Sequence, residues 1–276
     1  MKQFRKIPGE PGQEALEQLS LERYSVEGLP TADLDYRKRE ALATSIHRHP
    51  TPGPVRSITL DPMRLNPHLV SLCDSHPQAA QQYGKLVVEL ISLAAKRTSK
   101  RVLVTSAKHS EGRTSVLLNL AGALARAQLR VLVVDTDLFR PSVLRLLGTD
   151  VETGLPEGLS RGLPLAEIAV KVLPFGFSLL ATRSCEEHPV EVLNSAALRA
   201  DLESLEPNYD FILFDSPPLL ARSDARILLT LADGALLVVR PGVTKPREMA
   251  KALAMFTKED VLGVVLNRIV SSFTDE

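Results

Sequence analysis

The sequence predicts an α/β chain built on a doubly wound, mostly parallel sheet with helices on both faces, preceded by a flexible N-terminal segment. Three observations carry that prediction. Short apolar runs alternate with stretches of helical periodicity along the second part of the chain. The runs are continuous in apolar character, as expected for strands covered on both faces. Lastly, His49-Pro50-Thr51-Pro52-Gly53-Pro54 closes a polar, mixed-charge opening stretch with residues that continue neither a helix nor a central strand. The boundaries that follow are a flexible segment or linker over 1–55 and a folded domain over 56–276.

Taken in order, residues 61–74 read as an irregular connection. From Pro77, the apolar residues Ala80, Tyr83, Val87, Leu90 and Ala94 recur at three- and four-residue steps, which predicts an amphipathic helix of about 20 residues. Val102-Leu103-Val104 is the first strand candidate. A helix from about Arg113 to Ala127 follows, with Val116, Leu120, Leu124 and Ala127 on one face. Further strands are expected at 131–134, 177–180, 211–214, 236–239 and 261–266, with helical stretches near 190–205, 222–230 and 245–257 separating most of them.

Composition narrows the function classes. At 276 residues the chain can bury a sizeable core. Lys+Arg and Asp+Glu both total 33, so no overall basic excess points to nucleic acid. Cys73 and Cys185 lack metal-ligand spacing and read as reduced thiols. The N-terminus leads into polar sequence rather than an apolar signal core, and no apolar run reaches about 18 residues. The expected location is the cytoplasm, free or docked to a membrane protein from that side.

In a doubly wound sheet, ligands bind at the carboxyl ends of the strands. After the first strand candidate comes Ala107-Lys108-His109-Ser110-Glu111-Gly112-Arg113-Thr114-Ser115. It follows the phosphate-loop pattern G-x-x-x-x-G-K-S/T, with Ala for the first Gly and Arg113 for the Lys. Backbone N–H groups of such a loop wrap phosphates, and the helix N-terminus behind it adds its dipole. Gly112 permits the tight turn, and Thr114 offers a hydroxyl to Mg²⁺. Arg113 brings a forked guanidinium where the pattern has a point charge. The second strand ends in Asp135-Thr136-Asp137, with Arg140-Pro141 behind it, and a later one in Asp215-Ser216-Pro217-Pro218. Strand-end carboxylates beside a phosphate loop are placed to hold Mg²⁺ directly or through water. The D-x-D element alone would also suit a glycosyltransferase, but such enzymes have no need of the upstream loop.

On these residues the chain from about 66 to 270 resembles the bacterial tyrosine kinases of capsular and exopolysaccharide biosynthesis, a branch of the P-loop ATPases. The matching stretches are VTSAKHSEGRTSVLLNLA (104–121), VLVVDTDLFRP (131–141), YDFILFDSPPLL (209–220), SDARILLTLADGALLVVRPGVT (223–244) and GVVLNR (263–268). The resemblance implies an ATP and Mg²⁺ site. Ser110, Glu111, Gly112, Arg113, Thr114 and Ser115 would lie around the phosphates. Asp135 and Asp137 would be the acids of which one assists deprotonation of a tyrosine hydroxyl. Asp215 would be the acid near Mg²⁺, which Thr114 and Asp137 would also approach, and Asn267 and Arg268 would contact the base. It implies γ-phosphate transfer from ATP to tyrosine, and as partner the cytoplasmic tail of a membrane polysaccharide co-polymerase or chain-length protein.

Three places depart from the family pattern. Arg113 replaces its lysine. The end of the chain carries no tyrosine cluster, the four tyrosines being Tyr24, Tyr36, Tyr83 and Tyr209. Of these, Tyr209 reads as packed, and Tyr24 and Tyr36 as solvated residues conceivable as phosphoacceptors. The family's ring-forming E-x-x-R-x-x-R pattern aligns with Gln81, Gly84 and Val87. These departures set a second reading beside the kinase, a pseudokinase that regulates the same export machinery. A third, a partitioning-type ATPase, rests on Lys108 reaching across a dimer. The oligomeric state stays open.

Overall fold

The computed structural model describes residues 56–73, 76–97, 100–185, 188–221 and 225–268. The N-terminal segment 1–55 lies outside the described residues. Eight strands form one sheet: β1 (Arg56–Thr59), β2 (Arg101–Ser106), β3 (Val131–Asp135), β4 (Val170–Leu173), β5 (Ser178–Leu180), β6 (Phe211–Asp215), β7 (Gly234–Val239) and β8 (Val261–Leu266). Their spatial order is β1-β4-β5-β3-β6-β2-β7-β8. Every neighbouring pair is parallel except β4 with β5. The expected mostly parallel sheet is therefore present, with β1 and β4 reversed at one edge.

The continuous apolar strands are buried on both sides because successive side chains point to opposite faces. Val102, Val104, Val131, Val133 and Leu213 enter one core. Leu103, Leu132, Val134, Ile212 and Phe214 enter the other. The first core is covered by α1 (Val70–Cys73), α2 (Pro77–Arg97), α3 (Arg113–Arg126) and α4 (Val143–Leu147). The second is covered by α5 (Leu155–Ser160), α6 (Leu165–Ile168), α7 (Pro189–Leu193), α8 (Ala196–Leu205) and α9 (Ala225–Leu229). A smaller apolar cluster joins α10 (Pro246–Leu253) to Ala107 and Leu237.

The periodicity after Pro77 gives α2 as expected, with Val87 and Leu90 buried against α3. Three expectations need correction. The stretch taken as irregular holds a 3-10 turn, Pro62–Arg64, and α1. The single helix near 190–205 is two, divided where Asn194 ends α7 and the Ser195 hydroxyl caps α8 by accepting from Leu198 N–H at 3.2 Å. Strands β1 and β4 were not expected, because Arg56-Ser57-Ile58-Thr59 at the sheet's edge and Val170-Lys171-Val172-Leu173 next to it are short and lack a continuous apolar run.

Candidate functional site

Strands β2, β3 and β6 are neighbours, so the turns after them open on one side of the sheet. Asp135 and Asp215 are register partners at the ends of β3 and β6. The phosphate loop leaves β2 beside them and enters α3 at Gly112, whose backbone is left-handed (φ 90°, ψ 25°). A Cβ on Gly112 would collide with Asn267 Nδ2, so the turn needs both the permissive φ and the missing side chain.

The loop is braced from within its own chain. The buried Glu111 carboxylate accepts from Lys108 N–H at 3.0 Å and from the Thr244 hydroxyl. Asn267 Nδ2 donates to the Glu111 carbonyl at 2.9 Å. Glu111 and Asn267, expected as ligand contacts, thus hold the loop's shape, while Arg268 lines the cleft in front of it. Lys108 pairs with Glu248 of α10 at 3.0 Å.

Arg113 does not project from the loop as an exposed cation. It is buried, and its fork is fully engaged. Nε donates to the Ser216 carbonyl at 2.8 Å, Nη1 to Ser106 Oγ at 3.0 Å and the Lys108 carbonyl at 3.3 Å, and Nη2 to Asp137 Oδ2 at 3.1 Å. A lysine's single ammonium could not bridge these separated acceptors in one geometry.

Beside it, the Thr114 hydroxyl donates to Asp215 Oδ2 at 2.7 Å and accepts from Ser142 Oγ at 2.9 Å. Asp215 Oδ1 and Asp135 Oδ2 are buried without a hydrogen-bond partner. Burial above all pushes the Asp215 carboxyl up to about 7; the Arg113 charge and the Thr114 hydrogen bond oppose this, and the Asp137 charge adds to it. Burial, then the charges of Asp215 and Asp137, hold Asp135 well above the usual carboxylate range. Buried polar atoms left without partners are costly, and a cation with its waters would satisfy both. Among the described residues no group of three or more His, Cys, Asp or Glu could hold a metal alone. Mg²⁺ keeps several waters and takes one or two carboxylates plus phosphate oxygens, and Asp215 with the Thr114 hydroxyl beside it would fit that need.

In front of the loop lies a cleft of about 370 Å³, lined by Gly112 to Ser115, Asp137 and a set of basic side chains: His68, His109, Arg140, Arg145 and Arg268. Asp137 reaches this cleft and Asp135 does not. Burial, followed by the charges of Arg113 and Arg140, lowers the His109 pKa. His68 is placed by Asn119 of α3, whose amide donates to the His68 and Ser115 carbonyls, both at 2.9 Å, and accepts from Ser71 N–H at 2.7 Å. Sequence reasoning missed Asn66, His68, Ser142 and Arg145. A polar Asn119 inside an apolar helix face was the one available signal.

Tyr83 and Tyr209 are withdrawn from solvent. Burial pushes the Tyr83 hydroxyl up to about 12, and the Tyr209 hydroxyl upward as well. Tyr24 and Tyr36 lie outside the described residues. At the positions aligned with the ring-forming charges, Gln81 and Gly84 are exposed and Val87 is core.

Comparison with known proteins agrees with this geometry. The chain is 28% identical over 206 residues to the tyrosine-protein kinase YwqD of Bacillus subtilis (strain 168), covering 74% of this chain and 87% of that one. It is 31% identical over 170 residues to the tyrosine-protein kinase Wzc of Salmonella typhimurium, covering 61% of this chain and 24% of that protein. The chain therefore spans most of one such relative and about a quarter of the other. The fold matches the kinase domain of the Escherichia coli tyrosine kinase ETK with a TM-score of 0.66 and 24% identity, over 83% of this chain and 87% of that one. The family model described as ParA, NUBPL iron-transfer P-loop NTPase, matches residues 97–275. With its loop, strand-end acids and sheet order in that arrangement, the chain belongs to the ParA-type P-loop NTPase family, and bacterial tyrosine kinases of the capsule and exopolysaccharide class are among its relatives.

Proposed function

We propose that this protein binds ATP with Mg²⁺ at the loop 110–115 and acts in exopolysaccharide or capsule export as a tyrosine kinase, engaged through the cytoplasmic tail of a membrane co-polymerase. One observation carries the reading. Two buried carboxylate oxygens, on Asp135 and Asp215, lack partners at adjacent strand ends beside Thr114 and the amides of the loop. Magnesium, when bound, would offset negative charge on the nucleotide's phosphates. Thr114 and Asp215 would hold it, and the helix N-terminus at Gly112 would bind the phosphates. Asp137, the acid that reaches the cleft, would take the phenolic proton as the tyrosine oxygen bonds to the γ-phosphorus. The bridging bond to the β-phosphate breaks and ADP leaves.

A second reading has its own support. Arg113 already pairs with Asp137 at 3.1 Å, which holds the proposed base in an ion pair. A pseudokinase that senses nucleotide would need the loop and the metal acids but not a free Asp137. Lys108 is tied to Glu248 of its own chain, which speaks against a lysine that reaches across a dimer.

The test is titration calorimetry with ATP and Mg²⁺, followed by phosphotyrosine mapping by mass spectrometry in the presence of the co-polymerase tail. Binding with phosphotyrosine supports the kinase. Binding without it leaves the pseudokinase. No heat of binding refutes both.

A further inference from the structure

The mouth of the cleft is rich in arginine, and the sequence carries its complement. Arg140, Arg145, Arg268 and His68 are exposed around its mouth. None of the three arginines has an acidic partner among the described residues, whereas Arg56, Arg101, Arg130 and Arg183 are each paired with a carboxylate. Arg140 is in contact with the Phe139 ring at 5.8 Å, and its charge is felt by His109 at the loop. Among the described residues, the only acid lining the cleft is Asp137, and it is paired with Arg113. The loop 112–115 offers its amides to phosphate, and the exposed arginines at the mouth add positive charge open to a further anionic group.

Residues 10–35 supply one. They hold seven carboxylates, on Glu10, Glu14, Glu17, Glu22, Glu27, Asp33 and Asp35, against the single Arg23, and Tyr24 stands among them. The 32 residues from Tyr24 to Arg56 can span roughly 100 Å when extended, at about 3.3 Å each. Reach from β1, and from the His68 wall that follows it, is therefore no obstacle. We infer that the cationic mouth formed by Arg140, Arg145 and Arg268, beside His68, is the docking site for the acidic segment 10–35 of this chain, presenting Tyr24 to Asp137 as phosphoacceptor. The docking stands on charge complementarity, and only the phosphoacceptor role rests on the kinase reading. The Tyr24 oxygen is then the nucleophile: it bonds to the γ-phosphorus, its proton passes to Asp137, and ADP leaves.

The probe is a fluorescein-labelled peptide of residues 10–35, added to the full chain carrying Glu14→Gln, Glu17→Gln, Glu22→Gln and Glu27→Gln so that its own segment does not compete. We expect saturable anisotropy that weakens at least tenfold when Arg140→Gln and Arg145→Gln are added, weakens with salt, and vanishes for a peptide with its acids replaced by amides. Both arginines are exposed, so their loss leaves the fold intact. Equal affinity in the arginine variant, or no binding at all, overturns the docking. The native chain is then incubated with ATP and Mg²⁺ and its phosphotyrosines are mapped. Tyr24 modification supports the whole inference. Docking with no phosphotyrosine retains the site and sinks the kinase. Phosphotyrosine elsewhere, without docking, retains the kinase and sinks the site.

Discussion

Replacing Asp215 by Asn sets stability against function at one atom. The carboxyl is buried and titrates near 7 in the folded chain, from an ordinary value of 3.8. A raised folded value means that folding favours the protonated form. The group's contribution is therefore fully present below 3.8, declines as pH rises, and is lost above about 7. Between pH 5 and 7 the folded state holds a proton that the unfolded chain has released, and stability falls by about 1.4 kcal/mol per pH unit from this group. Two units give about 3 kcal/mol. The amide introduced by Asp215→Asn cannot ionise and still accepts from the Thr114 hydroxyl, so the variant escapes that loss. Urea unfolding of both proteins without Mg²⁺, at pH 5 and pH 8, measures the effect. The variant should gain about 2–3 kcal/mol on the native chain between the two values, and its calorimetric affinity for ATP with Mg²⁺ should collapse. Comparing two pH values cancels the fixed cost of the substitution. Relief of Asp135 from a neighbouring charge acts in the same direction. A gap that stays constant with pH would show that Asp215 is not held protonated, and the argument from partnerless carboxylates would fall with it.

Three further perturbations test the frame around that acid. Arg113→Lys removes the fork that spans Ser106, Ser216 and Asp137; apo stability should drop by about 1–3 kcal/mol while affinity for ATP with Mg²⁺ rises, and calorimetry showing unchanged affinity would mean the guanidinium does not compete with phosphate. Gly112→Ala puts a side chain at φ 90° and onto Asn267; a loss of about 1–3 kcal/mol on denaturation and weaker nucleotide binding are expected, and a neutral result would deny the turn its left-handed backbone. Lys108→Ala breaks an exposed, solvent-screened ion pair and should leave stability unchanged; light scattering should find the same mass with ATP as for the native chain, and loss of an ATP-dependent dimer would restore the partitioning reading.

How far the fold was legible depended on burial. Strands β2, β3, β6 and β7 announce themselves because both faces are covered, so each carries a continuous apolar run at its centre. Val170-Lys171-Val172-Leu173 does not, because its burial alternates: Val170 and Val172 are buried, Lys171 is half-buried and Leu173 is exposed. The phosphate loop and its acids were legible because the chemistry fixes residue types at fixed offsets from strand ends. What the loop rests on was not. Glu111 meets Thr244, 133 residues away, and Asn267, 156 residues away, through contacts that exist only once β7 and β8 lie beside β2. The inward turn of Arg113 was hidden for the same reason, since its acceptors come from three separate strand ends.

The replacement of lysine by arginine is better understood from what surrounds it than from what it removes. A lysine in this turn would present one mobile charge to phosphate and leave the Ser216 carbonyl and Asp137 to water. Arginine satisfies both and Ser106 as well, so the resting site is closed on itself through one guanidinium. Nucleotide must then displace a charge-assisted network instead of filling an open hollow, which costs affinity in proportion to how much of that network it breaks. The loop amides are untouched by this, because a backbone N–H does not depend on the side chain at 113. Binding and turnover therefore separate. On the proposed reading, affinity would be set by the amides against the Arg113 network, whereas turnover would depend on whether phosphate draws the guanidinium off Asp137 and frees its carboxylate for the acceptor. A chain in which Arg113→Lys raises affinity and phosphotyrosine together would have Asp137 as base and Arg113 as its restraint. One in which affinity rises alone would be a nucleotide sensor, with Asp137 serving the metal or the fold.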